Sequence, residues 1–185
     1  MNHARCRQFT LAARPQGKVR ATDLSLREVD IPSPSEGEFM VKNEYFSLDS
    51  SMKGQMEDRN DYRAPLQIGE VMASRTVGTI VESHRPDFPA GGQVFGFLGM
   101  SDDTIIDGKN IPVHLYKQPV KPEAALGVLG GTGMTAYFGL TDISEPVAGD
   151  TLVVSGAAGA IGNVAGQIGR ILGCRVIGIA GSNEK

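Results

Sequence analysis

Over its first two thirds the chain alternates apolar and polar residues in short runs broken by turn-forming clusters. Gln8-Phe9-Thr10-Leu11-Ala12 has the period of two of a half-buried strand, and Arg14-Pro15-Gln16-Gly17 after it has turn chemistry. Leu24 to Val29 and Phe39 to Phe46 are further strands, divided by the breaker run Ile31-Pro32-Ser33-Pro34-Ser35-Glu36-Gly37. Arg75 to Val81 and Gln93 to Leu98 follow, the second after the turn Pro89-Ala90-Gly91-Gly92; Ile105-Ile106 and Ile111 to Leu115 are shorter. Residues 50–70 are polar, irregular and methionine-containing, the pattern of a long loop or a short helix. Short strands with turns every ~8–12 residues predict a small barrel or sandwich over residues 1–121.

The period changes at Lys121-Pro122-Glu123, where Pro122 suits a first helical turn because its missing N–H would be unpaired there anyway. A glycine-interrupted helical segment runs to about Asp142, and Pro146-Val147-Ala148-Gly149-Asp150 is a turn. Thr151 to Ser155 is a short apolar strand, and a glycine loop follows it directly. Ile161, Val164, Ile168, Ile171 and Leu172 then fall on one face of a helix that Gly173 stops, and Cys174 to Ala180 is a second strand. Strand, helix, strand in that order is a βαβ unit and implies a parallel sheet. The chain therefore reads as two domains, residues 1–121 and 122–185.

Composition changes the picture at one point. Apolar residues make up 41% and charged residues 21%, ordinary for a folded chain, and the formal net charge of −3 lacks the basic excess of a nucleic-acid binder. No apolar run approaches the ~18 residues of a membrane span. The acid-free N-terminus (Arg5, Arg7, Arg14, Lys18, Arg20) could be a transit segment, but its alternation favours a strand. Cys6 and Cys174 are far apart, and His3, His84 and His114 are scattered, so neither a disulfide framework nor a metal site is expected; a reducing, cytoplasmic setting is. Glycine is the exception: of 24 glycines, 14 fall after residue 126.

Those glycines have a site-building pattern. Gly156-Ala157-Ala158-Gly159-Ala160-Ile161-Gly162 places glycine at every third position between strand and amphipathic helix. The first permits the tight turn, the second lets a pyrophosphate approach the backbone, and the third lets the helix pack on the strand. The helix N-terminus adds free N–H groups and partial positive charge. No Gly-Lys-Ser/Thr follows, which excludes a Walker loop. A site for NAD wants an acidic residue at the end of the second strand. Here that end reads Gly181-Ser182-Asn183-Glu184-Lys185, with room for a 2′-phosphate at Gly181 and Ser182 and a cation at Lys185. NADPH is therefore expected over NADH, with Glu184 the contrary sign.

The chain resembles the zinc-independent medium-chain dehydrogenase/reductases, in the branch of prostaglandin, alkenal and curcumin reductases. The resemblance is carried by Tyr45-Phe46-Ser47-Leu48-Asp49, Ile68-Gly69-Glu70-Val71-Met72, Leu126-Gly127-Val128-Leu129-Gly130, Gly133-Met134-Thr135-Ala136-Tyr137-Phe138-Gly139-Leu140 and Gly156 to Lys185. It implies a GroES-like β domain over residues 1–121 and the start of a Rossmann domain, a doubly wound parallel sheet, from residue 122. Zinc-dependent relatives carry Cys near Ser47 and His near Gly69-Glu70, and this chain has neither. By the resemblance, Gly159, Ala160, Ile161 and Gly162 hold the pyrophosphate, while Gly181, Ser182 and Lys185 face the 2′-phosphate. Thr135 lies near the nicotinamide, and Tyr62 lines the substrate cleft as the candidate catalytic donor, ahead of Tyr137 and Tyr45. Those two have packing roles as their simpler reading, as Asp49 has a turn or cap role.

The implied activity is NADPH-dependent reduction of the conjugated carbon–carbon double bond of α,β-unsaturated ketones and aldehydes, with donors stabilising the enolate. A zinc-free quinone reductase and a non-catalytic nucleotide-binding fragment are the alternatives. Where the family has Pro-Tyr-Met-Arg-Gly-Arg-Met after Ser-Leu-Asp, this chain has Ser50-Ser51-Met52-Lys53-Gly54-Gln55-Met56, and Gly99-Met100-Ser101 replaces Gly-Trp-Gln. The pocket is thus expected to differ from the family's in shape and polarity. Family members run to nearly twice this length, so the chain is expected to be a fragment or truncated form, and a homodimer when full length.

Overall fold

The computed structural model describes residues 4–58, 64–107 and 111–182, which fall into two compact units, Met1–Val120 and Lys121–Lys185. In the first, β1 (Ala4–Leu11) and β2 (Leu24–Ile31) form an antiparallel hairpin. A five-stranded antiparallel sheet has β3 (Phe39–Phe46) and β4 (Thr76–Ser83) at its centre, β5 (Gln93–Gly96) and β7 (Val113–Leu115) on one side, and β6 (Asp103–Ile106) on the other. The expected strands are present; the fourth starts one residue later and runs on to Ser83, and the fifth stops at Gly96, before Phe97-Leu98. One short helix, α1 (Ser51–Met56), occupies the irregular stretch.

β1 uses both of its edges. Beyond its ladder with β2, Phe9 N–H donates to Met100 O and Met72 N–H to Phe9 O, each at 2.9 Å, and Leu11 N–H donates to Glu70 O at 2.9 Å. Two apolar clusters follow. Phe39, Val41, Ile80, Val94, Leu98 and Ile106 fill the sheet's inner face, with the Phe88 ring stacked 4.6 Å from Phe39. Leu11, Met56, Met72 and Met100 pack under the hairpin. Each such buried side chain contributes roughly 1.5–3 kcal/mol.

In the second unit the expected single helical segment is divided. α2 (Pro122–Leu126) opens on its proline; α3 (Gly131–Phe138) follows, and a single π-helical turn occupies Gly139–Ser144. The break falls where Gly127 and Gly130 interrupt the run, since glycine lowers helix stability by about 1 kcal/mol relative to alanine. β8 (Thr151–Ser155), α4 (Ala160–Ile171) and β9 (Arg175–Ile179) form the expected βαβ unit, with β8 and β9 parallel. Gly173, at φ +84°, ends α4 in the left-handed conformation that favours glycine.

α4 does not bury the face its isoleucines mark. Ile161 and Leu172 are exposed, and Ile171 is 83% exposed. The buried stripe contains Gly162 and Gly169, with Val164 and Ile168 half-buried beside it. At Gly169 the strand side chains come so close that a Cβ would collide with the Leu152 methyl and lie 3.2 Å from Val176 Cγ2. Gly166 leaves an ordinary 3.7 Å, so close packing accounts for one of these two helix glycines and not the other.

Candidate functional site

The loop between β8 and α4 is built by backbone geometry. Gly156 has φ +59°, which turns the chain at the end of β8. Ala157 N–H then donates to Ile179 O at 3.0 Å, tying the loop to the end of β9, and Gly159 N–H donates to Gly156 O at 2.8 Å. Gly159 is the extended N-cap residue of α4, and its carbonyl accepts from Asn163 N–H at 2.9 Å. The N–H groups of Ala160, Ile161 and Gly162 precede the first helical hydrogen bond and carry the positive end of the helix dipole. No side chain caps this end.

Gly162 has the tightest constraint. A Cβ there would run into Gly156 O and come within 2.9 Å of Ala157 Cα. The third glycine of the motif therefore seats the helix against its own loop, not against the strand. Beside it opens a cavity of about 480 Å³ lined by Gly156, Ala158, Gly159, Ala180 and Gly181. Ala158 and Ala180 were not singled out in the sequence; among the described residues their small side chains leave the wall without bulk or charge. Nothing lies within 4 Å of a Cβ at Gly181.

The expected site residues divide accordingly. Gly159 and Gly181 line the cavity, and Ala160, Ile161 and Gly162 form the first turn of α4 at its edge. Ser182 follows Gly181 and is exposed. Thr135 is exposed on α3, which packs against α4, and its hydroxyl donates to Gly131 O at 2.7 Å, leaving the oxygen free to accept. Tyr62 and Lys185 lie outside the described residues. Tyr45 and Tyr137 are half exposed, and Tyr137 meets Phe138 edge-on at 5.4 Å. Asp49 lies in a turn, its carbonyl accepting from Met52 N–H at 3.0 Å, and its carboxylate pairs with Arg75 at 3.0 Å. Both cysteines are free and buried, and among the described residues no His, Cys, Asp and Glu group is arranged to hold a metal. No helix among them is long and apolar enough to cross a membrane.

The geometry fits a dinucleotide: uncapped N–H groups for an anion, and a wall of glycine and alanine where phosphate must approach. Comparison with known proteins agrees. Residues 7–113 match the family described as the N-terminal domain of oxidoreductase. The chain belongs to the zinc-independent medium-chain dehydrogenase/reductases. NADPH-dependent curcumin reductase of Escherichia coli (strain K12) is 44% identical over 98% of this chain and 52% of its own length. Prostaglandin reductase 1 of Oryctolagus cuniculus is 36% identical over 98% and 50%. The crystal structure of CurA from Vibrio vulnificus in complex with NADPH superposes with a TM-score of 0.88 at 47% identity, over 96% of this chain and 52% of that one. The chain thus spans about half the length of the relatives it matches. In this family's terms, the first unit is the GroES-like β domain and the βαβ unit begins the Rossmann sheet.

Proposed function

We propose that the protein is an NADPH-dependent reductase of conjugated carbon–carbon double bonds in α,β-unsaturated ketones and aldehydes, working as a homodimer in the cytoplasm when full length. The observation that carries this reading is the cavity at the α4 N-terminus, with Gly181 in place of an acidic residue at the end of β9. An acid there would hydrogen-bond a ribose 2′-hydroxyl and repel a 2′-phosphate; Gly181 and Ser182 do neither, and Lys185 supplies a charge-assisted contact. A relative 44% identical to this chain is named NADPH-dependent curcumin reductase, which supports the reading.

Bound NADPH supplies the hydride. The chain's own residues bind and orient it: the N–H groups of Ala160, Ile161 and Gly162 face the pyrophosphate, and Gly159 keeps side-chain bulk out of its way. Thr135, with its proton committed to Gly131 O, can only accept, which suits the amide N–H of a nicotinamide. Tyr62 donates to the substrate carbonyl oxygen, where negative charge develops.

Titration of the chain with NADPH and NADH, followed by NADPH oxidation with enones, quinones and aldehydes, tests this. NADPH should bind more tightly than NADH; equal affinities would remove the 2′-phosphate assignment. Turnover of quinones without enones would make the protein a quinone reductase, and binding without any turnover a nucleotide-binding module. In the active full-length protein, Tyr62→Phe should slow enone reduction by about 10²-fold, the scale of a lost proton or oxyanion donor.

A further inference from the structure

The outer face of the β5–β7 edge is unusual for a solvent-facing strand pair. Val94 on β5 and Val113 and Leu115 on β7 pack into the core of the sheet. Strand side chains alternate, so Phe95 and His114, which are paired across the ladder, occupy the opposite face, and Phe97 continues that side beyond the strand end. Aromatic rings stand where polar side chains are usual. A cavity of about 650 Å³ opens there, lined by Ala73, Phe95, Gly96, Phe97, Pro112 and His114, together with Ile111 and Val113. That volume is within the range of small-molecule sites, ~300–1,000 Å³. Among the described residues of the lining, His114 has the one side chain able to form a hydrogen bond.

Two of the walls are held in place. The Arg75 guanidinium lies 5.1 Å from the Phe97 ring centroid and is itself anchored by Asp49 at 3.0 Å. Tyr116 meets the His114 ring edge-on, 4.8 Å between centroids at 84°. Burial pushes the Tyr116 hydroxyl above its usual range, so it stays neutral beside the imidazole. Aromatic faces prefer stacked or edge-on rings over flexible aliphatic chains, and a lone imidazole N–H selects one acceptor on the ligand.

We propose that this cavity of the β unit is a binding site for a planar aromatic ligand carrying one hydrogen-bond acceptor. The rings lie against Phe95 and Phe97, and the acceptor takes a hydrogen bond from His114. The site is independent of the glycine loop and of the reductase reading.

The test uses the whole chain without nucleotide and 2-acetylnaphthalene as probe, with its saturated-ring analogue as control. Binding is followed by NMR shifts of the aromatic and imidazole C–H groups. The aromatic ketone should bind and shift the resonances of Phe95, Phe97 and His114, and the saturated analogue should bind more weakly. His114→Leu, a change on an exposed side chain that removes the donor, should weaken binding about five-fold, the worth of one hydrogen bond. Phe97→Leu should weaken it further while the remaining spectrum keeps its dispersion. Shifts confined to residues 156–182, equal affinity for the saturated analogue, or affinity unchanged in both variants would overturn the proposal.

Discussion

At residue scale, Gly162 and Gly166 make opposite predictions from the same substitution. Both interrupt α4, and both cost it about 1 kcal/mol in helix propensity. A Cβ at Gly162 meets Gly156 O and the Ala157 backbone, which cannot move aside without rebuilding the loop. A Cβ at Gly166 meets Val176 Cγ1 at 3.7 Å, an ordinary contact. Gly162→Ala should therefore destabilise the protein by roughly 1–3 kcal/mol and abolish nucleotide binding, whereas Gly166→Ala should stabilise it by up to about 1 kcal/mol with binding intact. Urea unfolding alongside NADPH titration checks both. The spacing of glycines revealed the loop, because positive φ and close approach demand glycine wherever they occur. It could not tell Gly169 from Gly166, because a sequence records that a side chain is missing and not which neighbour forbids it. Nor could it show that the Thr135 proton is committed to Gly131 O, or that Asp49 is paired with Arg75.

At the scale of elements, the strands were legible from alternation and turn chemistry, and the packing of α4 was not. Its isoleucine periodicity marks an apolar face, but the strands take up the glycine face, where closest approach is possible. The apolar run Val94-Phe95-Gly96-Phe97-Leu98 likewise signalled a strand covered on both faces, a signal visible in retrospect once the cavity beside Phe95 is known. Charge gives the element-scale prediction. Arg7 on β1 grips Asp102, just before β6, with Nε to Oδ2 at 2.8 Å and Nη2 to Oδ1 at 3.1 Å, tying the hairpin to the larger sheet. That grip holds the Asp102 carboxyl below its usual range. Next to it, burial pushes the Asp103 carboxyl up, with Lys42 opposing. The signs follow from linkage. A depressed carboxyl stabilises the fold above its unfolded value and loses that as pH falls through the folded value. A raised one stabilises only while protonated, and that contribution is lost as pH rises through its folded value. Asp102→Asn should thus lower the urea midpoint at neutral pH and flatten the acid limb, while Asp103→Asn should raise the midpoint at neutral pH. Both effects should be modest, since solvent screens exposed pairs. Unfolding midpoints at neutral pH and at about pH 3 separate the two.

At the scale of the molecule, the parallel pair of the second unit is covered on one face only. Parallel sheets are normally covered on both faces. Here α4 covers one face of β8 and β9, and on these strands Val153 is 57%, Ile177 41% and Ile179 54% exposed. Fully burying a valine or isoleucine is worth roughly 1.5–3 kcal/mol, so any apolar surface that covers this face gains several kcal/mol before ordering costs. The chain should accordingly increase in sedimentation coefficient with concentration. Val153→Thr with Ile177→Thr keeps β-branched side chains and strand propensity but makes the face polar. The double variant should remain at the lowest sedimentation coefficient at every concentration, with NADPH affinity unchanged because Gly156, Gly159 and Gly181 lie at the strand ends. Self-association that persists undiminished would place the sticky surface elsewhere, and the exposed Val128, Leu129 and Met134 around α3 would then be the next face to make polar.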